Sequence, residues 1–136
     1  MSKTIPSIQK YMTTSPHSIG TDQTLATAEK MMTDLHIRHL PVLNHGELCG
    51  LVTDRDLKFV KGFKGVVPSD MKISDLSLQE VFTVSPEAHL NEVCDVMATK
   101  KFGCAVVMSN HKLVGIFTWI DALRAMSELL STRLSN

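Results

Sequence analysis

Apolar side chains follow a helical spacing in two stretches of the chain. In residues 24–36 they recur every three or four positions, at Leu25, Ala28, Met31, Met32 and Leu35. This spacing places them on one face of a helix. Thr21 or Asp22, which lie just before the stretch, are residue types that cap helix N-termini. Residues 90–101 show the same pattern at Leu90, Val93, Val96 and Met97. The pattern therefore predicts two amphipathic helices.

Two pairs of apolar runs predict strand pairs. Residues 38–43 and 48–53 are joined by a polar stretch with a glycine at 44–47, and residues 104–108 and 113–118 by a polar stretch at 109–112. Short joints of this kind connect neighbouring strands. Short strands are also predicted at 17–20 and 82–84, and helices at 5–12, 54–61, 73–78 and 119–133. The alternation of helices and strands predicts an α/β fold in which helices cover small sheets.

The whole plan occurs twice, with an offset of 65 positions and no gap. Matching residues include Ile8 with Ile73, Leu25 with Leu90, Met32 with Met97, and Val42 with Val107. Two copies are too few for a solenoid, so we expect two similar halves packed around a pseudo-twofold axis. The predicted boundaries are a first half with its lead-in helix at 1–61, a linker at 62–72, and a second half with an extended C-terminal helix at 73–136.

Composition and charge narrow the class of protein. The 136 residues carry 14 basic and 14 acidic side chains, so the formal net charge is zero. This balance argues against a nucleic-acid or membrane-surface partner, which normally requires a basic face. No apolar run is long enough for a membrane helix. Cys49, Cys94 and Cys104 show no CxxC spacing. We interpret them as buried small hydrophobes of a reduced, cytoplasmic protein.

A strand-to-helix junction is the strongest candidate for chemistry. Gly50-Leu51-Val52-Thr53-Asp54-Arg55-Asp56-Leu57 is matched by Gly115-Ile116-Phe117-Thr118-Trp119-Ile120-Asp121-Ala122. The shared Thr-x-x-Asp resembles a helix capping box, which needs no ligand. The alternative is a nucleotide site, because a carboxylate can accept hydrogen bonds from both hydroxyls of a ribose and a helix N-terminus favours phosphate. The two interpretations are compatible.

These junctions, with Ile37-Arg38-His39-Leu40-Pro41-Val42 and Phe82-Thr83-Val84-Ser85-Pro86, are similar to a tandem pair of cystathionine-β-synthase (CBS) domains. Such a pair is called a Bateman module, and this chain resembles the stand-alone bacterial type. The resemblance covers about residues 5–125. It implies binding of AMP, ADP, ATP or S-adenosylmethionine in two clefts between the halves, and a flat homodimer. It also implies regulation of a separate, unknown protein, with no catalysis and no obligatory cofactor.

The resemblance also implies which residues bind the ligand. Asp56 and Asp121 match the aspartates that bind ribose, and Thr53 and Thr118 match a hydroxyl that contacts ribose or phosphate. The segments that match the walls of the base pocket comprise His39, Leu40 and Pro41; Cys104 and Ala105; Ile19 and Thr21; and Thr83 and Val84. Arg38, His39 and Arg55 add positive charge to the first site, where the second has Gly103, Cys104 and Ile120. We therefore expect the first site to prefer phosphorylated ligands.

Other candidates carry less weight. The six histidines are scattered, without ligand spacing, and no metal site is expected. Cys104 has no activating base that the sequence identifies. The stripe of the C-terminal helix, including Met126, Leu130 and Leu134, extends beyond the helix of the first copy, and we interpret it as a dimer contact. A structural dimerisation module with non-binding clefts stays open as the alternative function.

Overall fold

The structure is a computed structural model and describes residues 4–134. The strands are β1 (Thr13–Thr14), β2 (Ile19–Gly20), β3 (His39–Asn44), β4 (Glu47–Thr53), β5 (Thr83–Val84), β6 (Cys104–Ser109) and β7 (Lys112–Thr118). The α-helices are α1 (Leu25–Leu35), α2 (Asp54–Lys61), α3 (Leu90–Lys100) and α4 (Trp119–Arg133). Short 3-10 turns lie at Ile8–Lys10, Pro68–Asp70 and Ile73–Asp75. The predicted α/β class is confirmed, and α2 and α4 have the predicted bounds.

The chain forms two compact units, which we call the central unit (17–81) and the C-terminal unit (4–16 with 82–134). The sheet of the central unit has the order β2-β3-β4, with β2 parallel and β4 antiparallel to β3. The sheet of the C-terminal unit has the order β1-β7-β6-β5. Its β5 is parallel to β6, and β7 is antiparallel to both β6 and β1. The arrangement β2-β3-β4 is thus repeated as β5-β6-β7, and the C-terminal unit adds β1 at the edge of β7.

The cores of the two units match position by position. In the central unit, Leu25, Met32, Val42 and Val52 are buried together with other apolar side chains. Their counterparts in the C-terminal unit are Leu90, Met97, Val107 and Phe117, each 65 positions later and each buried. Both β-hairpins also shift register at matching points, after Val42 and after Val107. The predicted repeat is therefore present in the packing as well as in the sequence.

The segments that lead into the repeats, residues 5–16 and 73–81, are called the lead-in segments, and each belongs to the opposite unit from the one that the repeat suggests. Ile8 is fully buried in the core of the C-terminal unit, and Ile73 is fully buried in the core of the central unit. The predicted boundaries at 61/62 and 72/73 follow the sequence repeat, whereas the compact units divide at 16/17 and 81/82. The outermost predicted positions, 1–3 and 135–136, lie outside the described residues. The first lead-in segment therefore completes the core of the C-terminal unit, and the second completes the core of the central unit.

The repeated glycine of the junction makes room for these lead-in segments. A Cβ atom on Gly50 would lie 2.7 Å from the Cβ and Cδ1 atoms of Leu78. A Cβ atom on Gly115 would collide with the side chain of Met12. Gln79 then pairs with Leu51 of β4, and β1 pairs with β7. At Gly50 the close approach of a lead-in segment thus excludes a side chain, whereas at Gly115 a side chain would require the flexible Met12 side chain to move.

Three expectations about local structure are wrong. Thr24, not Thr21 or Asp22, caps α1, because its Oγ1 accepts a hydrogen bond from Thr27 N at 3.1 Å. The lead-in helices predicted at 5–12 and 73–78 are single 3-10 turns, because the chain beyond each turn extends to pair with a strand. Cys49 is exposed and Cys94 is half-buried; only Cys104 has the predicted burial. No helix within residues 4–134 is long and apolar enough to span a membrane.

Candidate functional site

The predicted capping box at the start of α2 is confirmed. Thr53 Oγ1 accepts a hydrogen bond from Asp56 N at 3.2 Å. In return, Asp56 Oδ2 accepts from Thr53 N at 2.9 Å and from the Thr53 hydroxyl at 3.0 Å. These bonds satisfy backbone N–H groups that have no partner inside the helix. One carboxylate oxygen of Asp56 is thereby committed to the helix end.

The other oxygen of Asp56 faces a side chain that the sequence analysis missed. Gln79 Nε2 donates to Asp56 Oδ1 at 2.8 Å and to Oδ2 at 3.0 Å. Among the described residues, Oδ1 has no other hydrogen-bond donor. Gln79 is placed by its backbone, whose N–H donates to Leu51 O at 3.3 Å. The carboxylate thus has one oxygen that caps the helix and one that an exposed surface amide covers.

The second junction repeats this arrangement in the C-terminal unit. Asp121 Oδ2 accepts from Thr118 N at 2.9 Å and from the Thr118 hydroxyl at 3.3 Å, and Thr118 Oγ1 caps α4. The hydroxyl of Thr13 lies 3.2 Å from Asp121 Oδ1 and 3.4 Å from Oδ2. Asp121 is only 6% exposed, which makes it the single buried charged residue among those described. A lead-in residue therefore covers the free oxygen in this unit too, through one hydroxyl instead of an amide.

The strand register places His39 beside the first junction and Cys104 beside the second. His39 is directly opposite Thr53, and Cys104 is directly opposite Thr118. Arg38 O also accepts from Asp54 N at 3.0 Å, which fixes the start of α2 against the start of β3. In the central unit the structure therefore brings together the predicted site residues Arg38, His39, Thr53 and Asp56.

His39 does not supply the positive charge that was expected of it. Burial is the largest effect on its imidazole, and it lowers the pKa of His39 below the usual 6.5. The Arg38 guanidinium lowers this pKa further, whereas the carboxylates of Asp54 and Asp56 oppose the shift. His39 is therefore neutral at pH 7. It can donate one hydrogen bond to a ligand, but the fixed positive charge of this site comes from arginine.

Arg38 and Arg55 carry that charge. Both are exposed, and within residues 4–134 neither forms an ion pair with a carboxylate. Arg38 also lines a cavity of about 570 Å³ between α1 and α2, together with Asp54, Leu57 and Lys58. Lys58 is paired with Asp54 across 3.7 Å. The arginines therefore remain available to an anion at the surface of the central unit.

The predicted walls of the base pocket lie apart from the junction within each unit. Ile19 and Gly20 pair with Val42 and Leu43, at the far end of β3 from His39. Val42 is three positions beyond His39 along the strand, which is a distance of about 10 Å. Thr21 likewise bonds to the far end, through its N–H to Leu43 O at 3.1 Å. The structure therefore does not bring Ile19 and Thr21 together with Asp56 inside the central unit.

The matching wall of the C-terminal unit has the same geometry. Thr83 and Val84 pair with Val106 and Val107 of β6. Four of the predicted wall residues lie on β3 and β6 themselves and are buried: Leu40, Pro41, Cys104 and Ala105. A ligand could therefore contact only their backbone or a small part of their side-chain surface. Burial also raises the pKa of the Cys104 thiol to about 12. Cys104 is therefore an inert core thiol at neutral pH and not a nucleophile.

Sequence reasoning missed Gln79 and Thr13 for an identifiable reason. Both lie in the irregular lead-in segments, where the apolar residues show no regular spacing. The sequence therefore gives no sign that these segments contact Asp56 and Asp121. The repeated glycines were the available signal, because a glycine inside a strand often marks the close approach of another backbone. Within residues 4–134, no three His, Cys, Asp or Glu side chains are grouped as metal ligands.

Comparison with known proteins agrees with this geometry. The model of the CBS domain family matches residues 8–61 and 73–128. Hypoxic response protein 1 of Mycobacterium tuberculosis is 31% identical over 112 residues, which are 81% of this chain and 78% of that protein. A solved structure of Hypoxic Response Protein I, described with two coordinated zinc ions, has a TM-score of 0.76 and 27% identity over 88% of this chain and 98% of that one.

Two further solved structures have the same fold. A Vibrio cholerae protein, provisionally named acetoin utilization protein (AcuB), has a TM-score of 0.86 and 28% identity, and it covers 98% of both chains. The CBS domain pair of protein MJ0100 has a TM-score of 0.81 and 20% identity over 92% of this chain and 98% of that one. With two family matches, one in each repeat, this chain belongs to the CBS domain family and is a tandem CBS pair.

Proposed function

We propose that this chain is a regulatory sensor that binds an adenosine-containing ligand and acts on a separate protein, without catalysis of its own. The observation that carries the proposal is the duplicated carboxylate. Asp56 and Asp121 each use Oδ2 to cap a helix and keep Oδ1 outside the cap. In both units the oxygen outside the cap is left to a donor from another segment, Gln79 or Thr13, and a ligand hydroxyl can compete for that place.

The ligand chemistry follows from the groups around each acceptor. A vicinal diol such as ribose supplies two donors for a carboxylate, and the N-terminus of an α-helix favours phosphate. AMP, ADP, ATP and S-adenosylmethionine all contain that diol. The CBS pair of MJ0100 is described in complex with 5′-methylthioadenosine and S-adenosyl-L-methionine. Because that likeness is 20% in sequence, it supports the fold, and the ligand class proposed here rests on the carboxylates.

We further propose that the first site has the greater preference for phosphorylated ligands. Arg38 and Arg55 are exposed there and free of ion pairs within the described residues. Gly103 and Ile120 occupy the matching positions of the second site, and Cys104 replaces the neutral His39. We expect the phosphate of AMP to add more binding energy at the first site than at the second.

A homodimer is the assembly that we propose for the sensor. An apolar stripe at helical spacing runs along α4 and ends at the residue that follows it, and its side chains are each 47–70% exposed: Trp119, Leu123, Met126, Leu130 and Leu134. α4 has 15 residues, whereas its counterpart α2 has 8. The longer helix thus carries an apolar stripe that a second copy of the chain would cover. We place this assembly in the cytoplasm, in keeping with the free cysteines.

The same hydrogen bonds also support the alternative function, a structural dimerisation module that binds no ligand. Gln79 and Thr13 already satisfy the free oxygens of Asp56 and Asp121. A thermal-shift series with AMP, ADP, ATP, S-adenosylmethionine and NAD separates the two functions. A sensor gains stability as RT ln(1 + [L]/Kd) when the ligand concentration rises. If none of these ligands raises the melting temperature at millimolar concentration, the structural module stands as the function.

A further inference from the structure

We propose that Gln79 is a specificity-determining residue of the first site, because its amide competes with a ligand diol for Asp56. The inference rests on the proposed function of that site. Gln79 lies outside both repeated junctions and belongs to the lead-in segment that precedes the second repeat. It nevertheless makes the closest side-chain contact to the Asp56 carboxylate from outside the capping box.

The geometry of this contact imitates a bound diol. The single NH2 group of Gln79 spans both carboxylate oxygens, at 2.8 Å to Oδ1 and 3.0 Å to Oδ2. A ribose diol would compete for the same side of the carboxylate, chiefly for Oδ1, because Oδ2 also accepts from the N–H and the hydroxyl of Thr53. Hydrogen bonds to a charged acceptor are stronger than neutral ones, so the amide is a real competitor. A diol can therefore bind Asp56 only after the amide turns away.

The backbone of Gln79 is fixed, and its side chain is able to turn. Leu78 packs against Gly50, and Gln79 pairs with Leu51 of β4. Both anchors use residues of the lead-in and the strand, and neither involves the side chain of Gln79. That side chain is exposed. Ligand binding thus requires a rotation of one surface side chain and leaves the strand pairing intact.

The second site lacks an equivalent competitor. Thr13 occupies the matching place, but its one hydroxyl hydrogen can serve only one oxygen of Asp121 at a time, at 3.2 or 3.4 Å. A hydroxyl can also rotate and accept a hydrogen bond from a ligand. The two sites therefore differ in their competitor for a diol: at the first site it is an amide that contacts both carboxylate oxygens, and at the second a hydroxyl that donates to one oxygen at a time.

The test compares ligands with and without the diol in a variant whose second site is disabled. In an Asp121→Asn background, calorimetry measures binding of AMP and of 2′,3′-dideoxy-AMP, before and after Gln79→Ala. One hydrogen bond to a charged group corresponds to roughly a tenfold change in affinity. We expect Gln79→Ala to tighten AMP binding about tenfold and to change dideoxy-AMP binding less than twofold. Gln23→Ala, an exposed glutamine of the same unit, is the matched control and should change neither.

A second readout follows the Gln79 amide directly, first without ligand and then with AMP. The side-chain amide signal of Gln79 in a nitrogen-15 NMR spectrum is identified by its loss in Gln79→Ala. We expect Asp56→Asn to move this signal in the free protein, and saturating AMP to move it in the protein with native Asp56. An unmoved signal in Asp56→Asn would overturn the contact on which the inference depends.

The outcomes separate this inference from the proposed function. Equal AMP affinities with and without Gln79→Ala would overturn the role of Gln79 and leave the sensor function standing. A similar gain for AMP and dideoxy-AMP would also overturn it, because the competition would then not concern the diol. If AMP binds neither the parent nor Gln79→Ala, while the NMR signal still responds to Asp56→Asn, the proposed function fails and the diol competition fails with it.

Discussion

Gly50→Ala tests whether the repeated glycine exists for the lead-in segment. Gly50 does not have the positive φ that favours glycine, so alanine is compatible with its backbone. The new Cβ atom would lie 2.7 Å from two atoms of Leu78 and 3.2 Å from a third. Because one of the two nearest atoms is the Leu78 Cβ atom, a rotation of the leucine side chain cannot relieve the contact. The lead-in segment must move away from β4.

The expected cost follows from this overlap. Forcing an extra methyl group into a packed site typically costs about 1–3 kcal/mol. For a chain of this size that corresponds to a fall in melting temperature of roughly 4–12 °C. The displaced lead-in also carries Ile73 of the central core and the amide of Gln79, so the upper half of the range is the better expectation.

Urea unfolding of a double-mutant cycle provides the measurement. Leu78→Gly removes every atom that the new methyl group would meet. In that background we expect Gly50→Ala to cost less than about 0.5 kcal/mol, since alanine is no worse than glycine in a strand. The reasoning would be refuted by a Gly50→Ala variant as stable as the parent, or by an equal cost in the two backgrounds.

Three further predictions concern separate features. His111 has φ +63° in a hairpin turn where the first copy has Gly46 at φ +84°, so His111→Gly should raise the free energy of unfolding by about 0.5–1 kcal/mol in urea unfolding; the reverse change, Gly46→His, should lower it by a similar amount, and unchanged stability in both would contradict the strain. Because burial lowers the pKa of His39, the unfolded chain binds a proton there first, so stability should fall as the pH drops from 6.5 toward the lower pKa of the folded protein; the parent should lose more stability over this window than His39→Gln, and parallel pH profiles would show that His39 is not buried neutral. Met126→Lys introduces a charge into the apolar stripe of α4 and should raise the dimer dissociation constant at least roughly tenfold in analytical ultracentrifugation; Ser131→Lys, on an exposed position off the stripe, is its control, and a monomeric parent at high concentration would remove the dimer.

The pattern of the sequence was sufficient for the repeat and for most element bounds. The 65-residue offset predicts which side chains are buried, and Leu25 with Leu90 or Met32 with Met97 confirm it. The same offset could not show which core a lead-in residue enters. Ile8 and Ile73 are equivalent in pattern, and each core has one place for such a side chain, so an exchange leaves the apolar pattern unchanged.

The candidate site was predictable only in its local parts. Thr53 and Asp56 are three residues apart, and their mutual hydrogen bonds follow from helix geometry. The hydrogen-bond partner of Asp56 is Gln79, which is 23 positions away in a segment without regular apolar spacing. Nothing in the sequence of that segment distinguishes Gln79 from its polar neighbours. The neutrality of His39 depends on burial in the fold, which the residue type alone does not give. The cap of α1 was within reach, because Thr24 directly precedes the first apolar residue of the helix.

The most direct test of the sensor function is a calorimetric titration of the parent and of an Asp56→Asn, Asp121→Asn double variant with AMP. Asparagine can still accept the capping hydrogen bonds, so the double variant should keep its fold, which circular dichroism checks. We predict saturable binding by the parent and at least a roughly tenfold weaker affinity in the double variant, since two charged acceptors are lost. The same affinity in both proteins, or no saturable heat in the parent with AMP, ADP, ATP or S-adenosylmethionine, would contradict the function proposed for the paired carboxylates.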